Sequence, residues 1–192
     1  MKILLDRLTD SPTRTRFEAD PAWWQQASTT FEELAGASRE GFVFEVDAHR
    51  MGEDVYLEGT IHGELSLACA RCLARYRLPL RERFRLILEP AGERVPADPE
   101  AAAGLVRDGF CLGDEIETGW FKGREIELGS FFREWIALAV PVQPLCREDC
   151  RGLCPRCGVD RNVEMCACEV VSPSSPFAVL GALRSTKSGG EG

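Results

Sequence analysis

The chain has 192 residues, of which 44% are hydrophobic and 28% charged, and it carries a net charge of −8. A length of this order suits one domain of ordinary size, which buries about 70% of its unfolded surface and does not need disulfides to fold. The acidic balance argues against indiscriminate binding of nucleic acid or membranes by the whole surface, while leaving room for a local basic patch.

Residues 2–8 are expected to form a short strand. The apolar run Ile3–Leu5 ends at Asp6, too soon for a signal-peptide core, and no stretch approaches the ~20 apolar residues of a membrane span. A cytoplasmic, reducing location is therefore expected, where disulfides are rare. "DPAWWQQASTTFEELAG" predicts a helix over 20–36. Asp20 can cap it, Pro21 suits its first position and Gly36 its end. "FVFEVDAHR" predicts a second strand.

From Val55 to Leu67 the odd positions are apolar or glycine and the even ones mostly polar, the alternation of a half-buried strand. After "CARC" the parity reverses. Ala74, Tyr76, Leu78, Leu80, Phe84 and Leu86 now occupy even positions. A hairpin centred between Ala70 and Arg71 accounts for the reversal. It pairs Cys69 with Cys72, Leu65 with Tyr76, Leu57 with Phe84, Glu64 with Arg77 and Glu58 with Arg83. Residues 89–119, with three prolines and a net charge of −6, predict a long acidic loop. "WFKGREIEL" follows as a strand and "SFFREWIALAV" as a helix, with Ser130 at its cap and Pro141 at its end. "SPFAVLGAL" predicts a short docking helix and "RSTKSGGEG" a disordered tail.

The expected fold is α+β: an antiparallel sheet with a long hairpin, one or two packed helices and a C-terminal zinc knuckle. The expected domains are a core over 1–145, a cysteine-rich segment over 146–170, and a docking helix with tail over 171–192.

Eight of the nine cysteines fall in close pairs: Cys69/Cys72, Cys146/Cys150, Cys154/Cys157 and Cys166/Cys168. Structural zinc takes four thiolates, usually from two short knuckles, so four pairs make two sites. "LCPRCG" finds its nearest partner in "CAC", giving Cys154, Cys157, Cys166 and Cys168. The second site joins Cys69 and Cys72 to Cys146 and Cys150. A partition that uses only the six C-terminal cysteines and leaves "CARC" free stays open, as do iron–sulfur and redox uses. Cys111 is expected to be a buried or loop thiol. Four thiolates leave no open position for water or substrate, so the sites are expected to be structural and the protein non-catalytic. Of the two histidines, His49 and His62, neither lies in a zinc-hydrolase motif, and His62 is expected on the hairpin's solvated face.

Arg71, Arg75, Arg77, Arg81, Arg83 and Arg85 occupy odd positions. On one regular strand they would share a face over about 45 Å at ~3.3 Å per residue. Cross-strand pairing with Glu58 and Glu64 explains such a stripe, and so does phosphate binding, which the planar arginine fork suits.

"CARCL", "IELGSFFREWIALAVPVQPLC", "DCRGLCPRCGVDRN", "CAC" and "SPFAVL" occur in that order. Over about 55–184 the sequence resembles the YceD family of large ribosomal RNA subunit accumulation proteins. The resemblance implies a role in 23S-type ribosomal RNA accumulation and large-subunit biogenesis. It brings ribosomal RNA or a pre-50S particle forward as a partner. An adaptor for a basic ribosomal protein or a ribonuclease is the alternative. "GVDRN" stands where many relatives read closer to "GxNLN", which makes that turn more polar.

Overall fold

The computed structural model describes residues 1–20, 22–24, 41–113 and 117–168. The chain forms two compact units, Met1–Cys150 and a second beginning at Arg151. The first contains strands β1 (Lys2–Leu4), β2 (Thr13–Ala19), β3 (Phe42–Met51), β4 (Asp54–Ala68) and β5 (Arg75–Pro90). Among the described residues it also holds a 3-10 turn at Leu5–Arg7, helix α1 (Pro99–Arg107), strands β6 (Phe110–Leu112), β7 (Thr118–Phe121) and β8 (Glu125–Glu127), and helix α2 (Gly129–Leu138). A six-stranded sheet runs in the order β2-β3-β4-β5-β7-β6, and β1 pairs with β8 in a separate ribbon. The expected α+β class holds, with one parallel pair, β5/β7, in an otherwise antiparallel sheet.

The hairpin β4–β5 is the backbone of the fold. Its apolar face buries Val55, Leu57, Ile61, Leu65, Leu80, Phe84, Leu86 and Leu88. Helix α2 supplies the opposing side: Phe132 stacks on Phe44 at 4.2 Å between ring centroids, and Phe131 meets Phe84 edge-on at 5.2 Å. Two glycines interrupt the apolar stripe of β4 because aromatic rings fill their places. A Cβ on Gly63 would lie 2.3 Å from the Phe42 ring, and one on Gly59 would lie 2.8 Å from that of Phe84 and 2.2 Å from the Glu45 carbonyl oxygen.

The register differs from the expected one by two residues. Leu65 faces Leu78, Leu57 faces Leu86, Glu58 faces Arg85, and Glu64 faces Pro79. The ladder stops at Ala68 and Arg75, and the six residues 69–74 between them form a knuckle rather than a tight turn. A shift of two keeps every side chain on its face, so the sequence parity survives while the partners change. Arg77 still reaches Glu64, diagonally, at 3.1 Å.

The predicted acidic loop is mostly ordered. Asp98 accepts from Ala101 N at 2.7 Å, Pro99 opens α1, and an alanine run continues it. A parallel neighbour cannot be reached by a tight turn, so the β5-to-β7 connection has to be a long crossover, and α1 lies in it. "WFKGREIEL" is two strands rather than one: Gly123, at φ 95°, lies between β7 and β8, which belong to different sheets. Strand β2 escaped the sequence reading because it is an edge strand of alternating charges in which only Ala19 is buried.

Ser130 lies inside α2 and does not cap it; Leu128 holds the cap position without a side-chain bond. The Ser130 hydroxyl instead donates to the buried Asp108 carboxylate at 2.7 Å. Burial pushes that carboxyl's pKa up, but Arg107, at 2.7 Å, and Ser130 together hold it below the usual value. Asp108 thereby ties the end of α1 to the start of α2. Asp20 accepts from Trp23 N at 2.8 Å as a cap should. The rest of the predicted helix over 20–36, the docking helix and the tail lie outside the described residues. Among the described residues no helix is long and apolar enough to cross a membrane.

Candidate metal centres and the arginine face

The knuckle at the hairpin tip is built by its backbone. Cys69 N donates to Ala74 O at 2.9 Å, Leu73 N donates to Cys69 O at 2.9 Å, and Arg71 N points at Cys69 Sγ at 3.4 Å. The segment after α2 crosses beside it. Ala70 N donates to Pro144 O at 2.7 Å, and Arg71 Nη1 reaches the carbonyls of Glu148 and Cys150 at 3.3 and 3.0 Å. These contacts bring Cys146 and Cys150 onto Cys69 and Cys72. All four sulfurs lie within 4.8 Å of one another, and Cys69–Cys150 and Cys72–Cys146 are each 3.7 Å apart.

The second unit holds a tetrad of its own, Cys154, Cys157, Cys166 and Cys168. Its knuckle is closed by Gly158 N to Cys154 O at 2.9 Å and Cys154 N to Val159 O at 2.8 Å. The polar departure "GVDRN" supports this turn. Asp160 accepts from Asn162 N at 2.9 Å, and Asn162 Oδ1 accepts from Arg151 N at 2.8 Å.

These distances suit a metal and do not suit disulfides. A disulfide needs about 2.05 Å between sulfurs. Tetrahedral zinc at about 2.3 Å from each thiolate sets its ligands roughly 3.8 Å apart. The structure thus groups the eight paired cysteines as two tetrads, each able to hold a metal ion. Cys111 stays apart, buried in β6 beside Ala91 and Leu105, and burial raises its pKa. His49 stacks on Tyr56, His62 is exposed opposite Arg81, and neither joins a tetrad.

Crowding splits the thiols. Burial opposes ionisation of Cys69, but backbone N–H groups, including those of Cys72 and Arg71, outweigh it and bring Cys69 down to about 6. Burial and then the neighbouring thiols push Cys146 up to about 12, and Cys72 is also raised. The same split separates Cys154, brought to about 6 by the N–H groups of Cys157 and Arg156, from Cys168, pushed to about 12 first by Cys157. Without a cation, Cys72 and Cys146 keep their protons at pH 7, and metal ligation must displace them. Metal affinity at the first tetrad is therefore expected to rise with pH by at least about 100-fold per unit near neutrality, two protons leaving per ion. Competition against a chromogenic chelator between pH 6.5 and 7.5 measures this. A flat profile would show that the thiols are not the ligands.

The arginine stripe resolves into three groups. Arg71 lies in the knuckle, outside the strand, and donates to backbone carbonyls there. Arg77 is held by Glu64, and Arg85 by Glu117 at 2.6 Å. Arg75, Arg81 and Arg83 are exposed and have no ion-pair partner among the described residues. The face on β5 therefore runs from Arg75 to Arg85, about 33 Å at ~3.3 Å per residue, and is shorter than the sequence suggested.

Both tetrads and the arginine face lie inside residues 57–184, the region matched by the family model for the large ribosomal RNA subunit accumulation protein YceD. The chain belongs to the YceD family. It is 23% identical over 158 residues to the chloroplastic YCED homolog 1 of Arabidopsis thaliana, a match covering 72% of this chain and 47% of that protein. The Zea mays homolog 1 is 24% identical over 160 residues, covering 74% and 54%. An uncharacterised protein of Mycobacterium tuberculosis is 32% identical over 109 residues, covering 57% and 46%. The chain spans about half the length of the curated relatives it matches. No solved structure matches it.

Proposed function

We propose that the protein is a non-catalytic, zinc-stabilised factor that acts in the cytoplasm on 23S ribosomal RNA or a pre-50S particle, supporting accumulation of the large subunit. Family membership supports the ribosomal assignment, since the family's description and the names of its plant members refer to large ribosomal RNA subunit accumulation. Thiolate tetrads without an open ligand position favour zinc in a structural role. The observation that carries RNA contact is the exposed set Arg75, Arg81 and Arg83 on β5, which forms no ion pair with an acid among the described residues. Guanidinium groups in that state attract phosphates strongly.

Crosslinking in cells, followed by sequencing and proteomics of the captured material, tests this reading. Large-subunit ribosomal RNA is expected to dominate the captured nucleic acid. Capture of a basic ribosomal protein or a ribonuclease that survives RNase treatment, without RNA, would replace RNA contact with an adaptor role.

A further inference from the structure

The two knuckles share one turn and part at the residue that follows it. Cys154-Pro-Arg-Cys157 is followed by Gly158, whose φ is 74° and whose N–H donates to Cys154 O at 2.9 Å. Cys69-Ala-Arg-Cys72 is followed by Leu73, whose φ is 61° and whose N–H donates to Cys69 O at 2.9 Å. Glycine adopts this left-handed conformation freely, whereas the Cβ of a leucine crowds the neighbouring carbonyl. Strain of this kind persists where the surroundings or a function require it. Packing does not require it here, because Leu73 is 65% exposed. Metal binding does not require a side chain at that position either, since the second tetrad is formed with glycine there.

We propose that Leu73 is a contact residue for RNA, on which an unstacked base of a single-stranded segment settles while its phosphates follow Arg75, Arg81 and Arg83. The inference rests on the RNA reading above and adds the residue that meets a base. Leu73 lies two positions from Arg75, at the tip of the hairpin whose β5 strand carries all three unpaired guanidinium groups. A base offers an apolar face to the leucine, and its phosphodiester offers the anions that the arginines lack. A protein partner would also cover a leucine, but a line of three unpaired cations running from beside Leu73 along the same strand favours an extended polyanion.

The test uses the full, zinc-loaded chain and fluorescein-labelled fragments of large-subunit ribosomal RNA, read by anisotropy, with Tm measured in parallel. Leu73→Asn removes the apolar contact and places at φ 61° a residue that tolerates it. Its Tm is expected to equal or exceed that of the wild type while its Kd weakens about fivefold or more. Leu73→Phe keeps an apolar surface, adds a ring that can stack, and is expected to bind at least as tightly as the wild type. Wild-type affinity in Leu73→Asn would overturn the base contact and leave the RNA reading standing. Equal losses in Leu73→Phe and Leu73→Asn would overturn it too, as would a fall in Tm parallel to the loss of affinity in Leu73→Asn. A wild-type protein that binds none of the fragments overturns both readings.

Discussion

Chelation of metal from the reduced protein is expected to erase amide protection across residues 151–168 and around 144–150, while β3, β4 and β5 stay protected. The reason is what else holds each region. In 151–168 only Gly152 and Cys154 are buried, and Val163 and Met165 are 79% and 96% exposed. Among the described residues that segment has no apolar core to fall back on. Residues 139–150 carry no helix or strand. Beyond the thiols, the hydrogen bonds from Ala70 and Arg71 are their main hold on the hairpin tip. Such bonds contribute about 1 kcal/mol each, whereas a structural zinc site contributes on the order of 10 kcal/mol. The sheet, with its Phe42, Phe44, Phe84 and Phe132 core, does not depend on the metal. Hydrogen exchange read by mass spectrometry, with and without a strong chelator, separates the regions. Cys150→Ser and Cys154→Ser are each expected to lower bound zinc from two ions to one. Each should release its own region only. Unchanged protection after chelation, or loss of both ions in either variant, would refute two independent structural sites.

The cysteine partition was readable because pairing at short spacing is a local property. "CARC" and "LCPRCG" each announce a knuckle without reference to the rest of the chain. What the sequence concealed was the room a knuckle takes. Parity alone cannot distinguish a hairpin closing at Ala70–Arg71 from one closing at Ala68–Arg75, since both preserve the faces. The six-residue knuckle settles the matter through its own hydrogen bonds. That also explains Arg71, whose odd position placed it on the stripe although it belongs to the knuckle of the first cysteine tetrad. Helix α1 was missed for a different reason: prolines, glycines and acidic charge in 89–119 hid a capped alanine run whose need is topological. The sequence of β5 does not say that its other neighbour is parallel, yet that pairing is what demands a crossover. Asp108 was equally hidden, because its partner Ser130 is 22 positions away and fits a capping reading by itself.

Replacing Arg75, Arg81 and Arg83 together by Glu is expected to abolish association with ribosomal RNA and pre-50S particles without lowering stability. Their side chains are exposed and make no ion pair among the described residues, so the fold loses no ion pair when they change. The binding effect is large because charge reversal removes three phosphate contacts and adds three repulsions. With three contacts, the wild-type logarithm of affinity should fall by about 2 per tenfold rise in salt, at a slope near −0.7 per contact on single strands. The gentler Arg→Gln triple is expected to flatten that dependence toward zero, which separates lost phosphate contacts from repulsion. Arg77 and Arg85 provide the internal contrast. Each already faces a carboxylate, Glu64 at 3.1 Å and Glu117 at 2.6 Å, so Arg77→Gln with Arg85→Gln should cost less affinity than the unpaired triple. Arg71→Gln should act differently again, loosening residues 146–150 and weakening the first metal site, because its guanidinium holds the carbonyls of Glu148 and Cys150. Particle co-sedimentation across a salt series, with zinc content measured on the same samples, reads all of these. Wild-type sedimentation by the Glu triple would remove the β5 face as the RNA contact and leave the metal sites untouched.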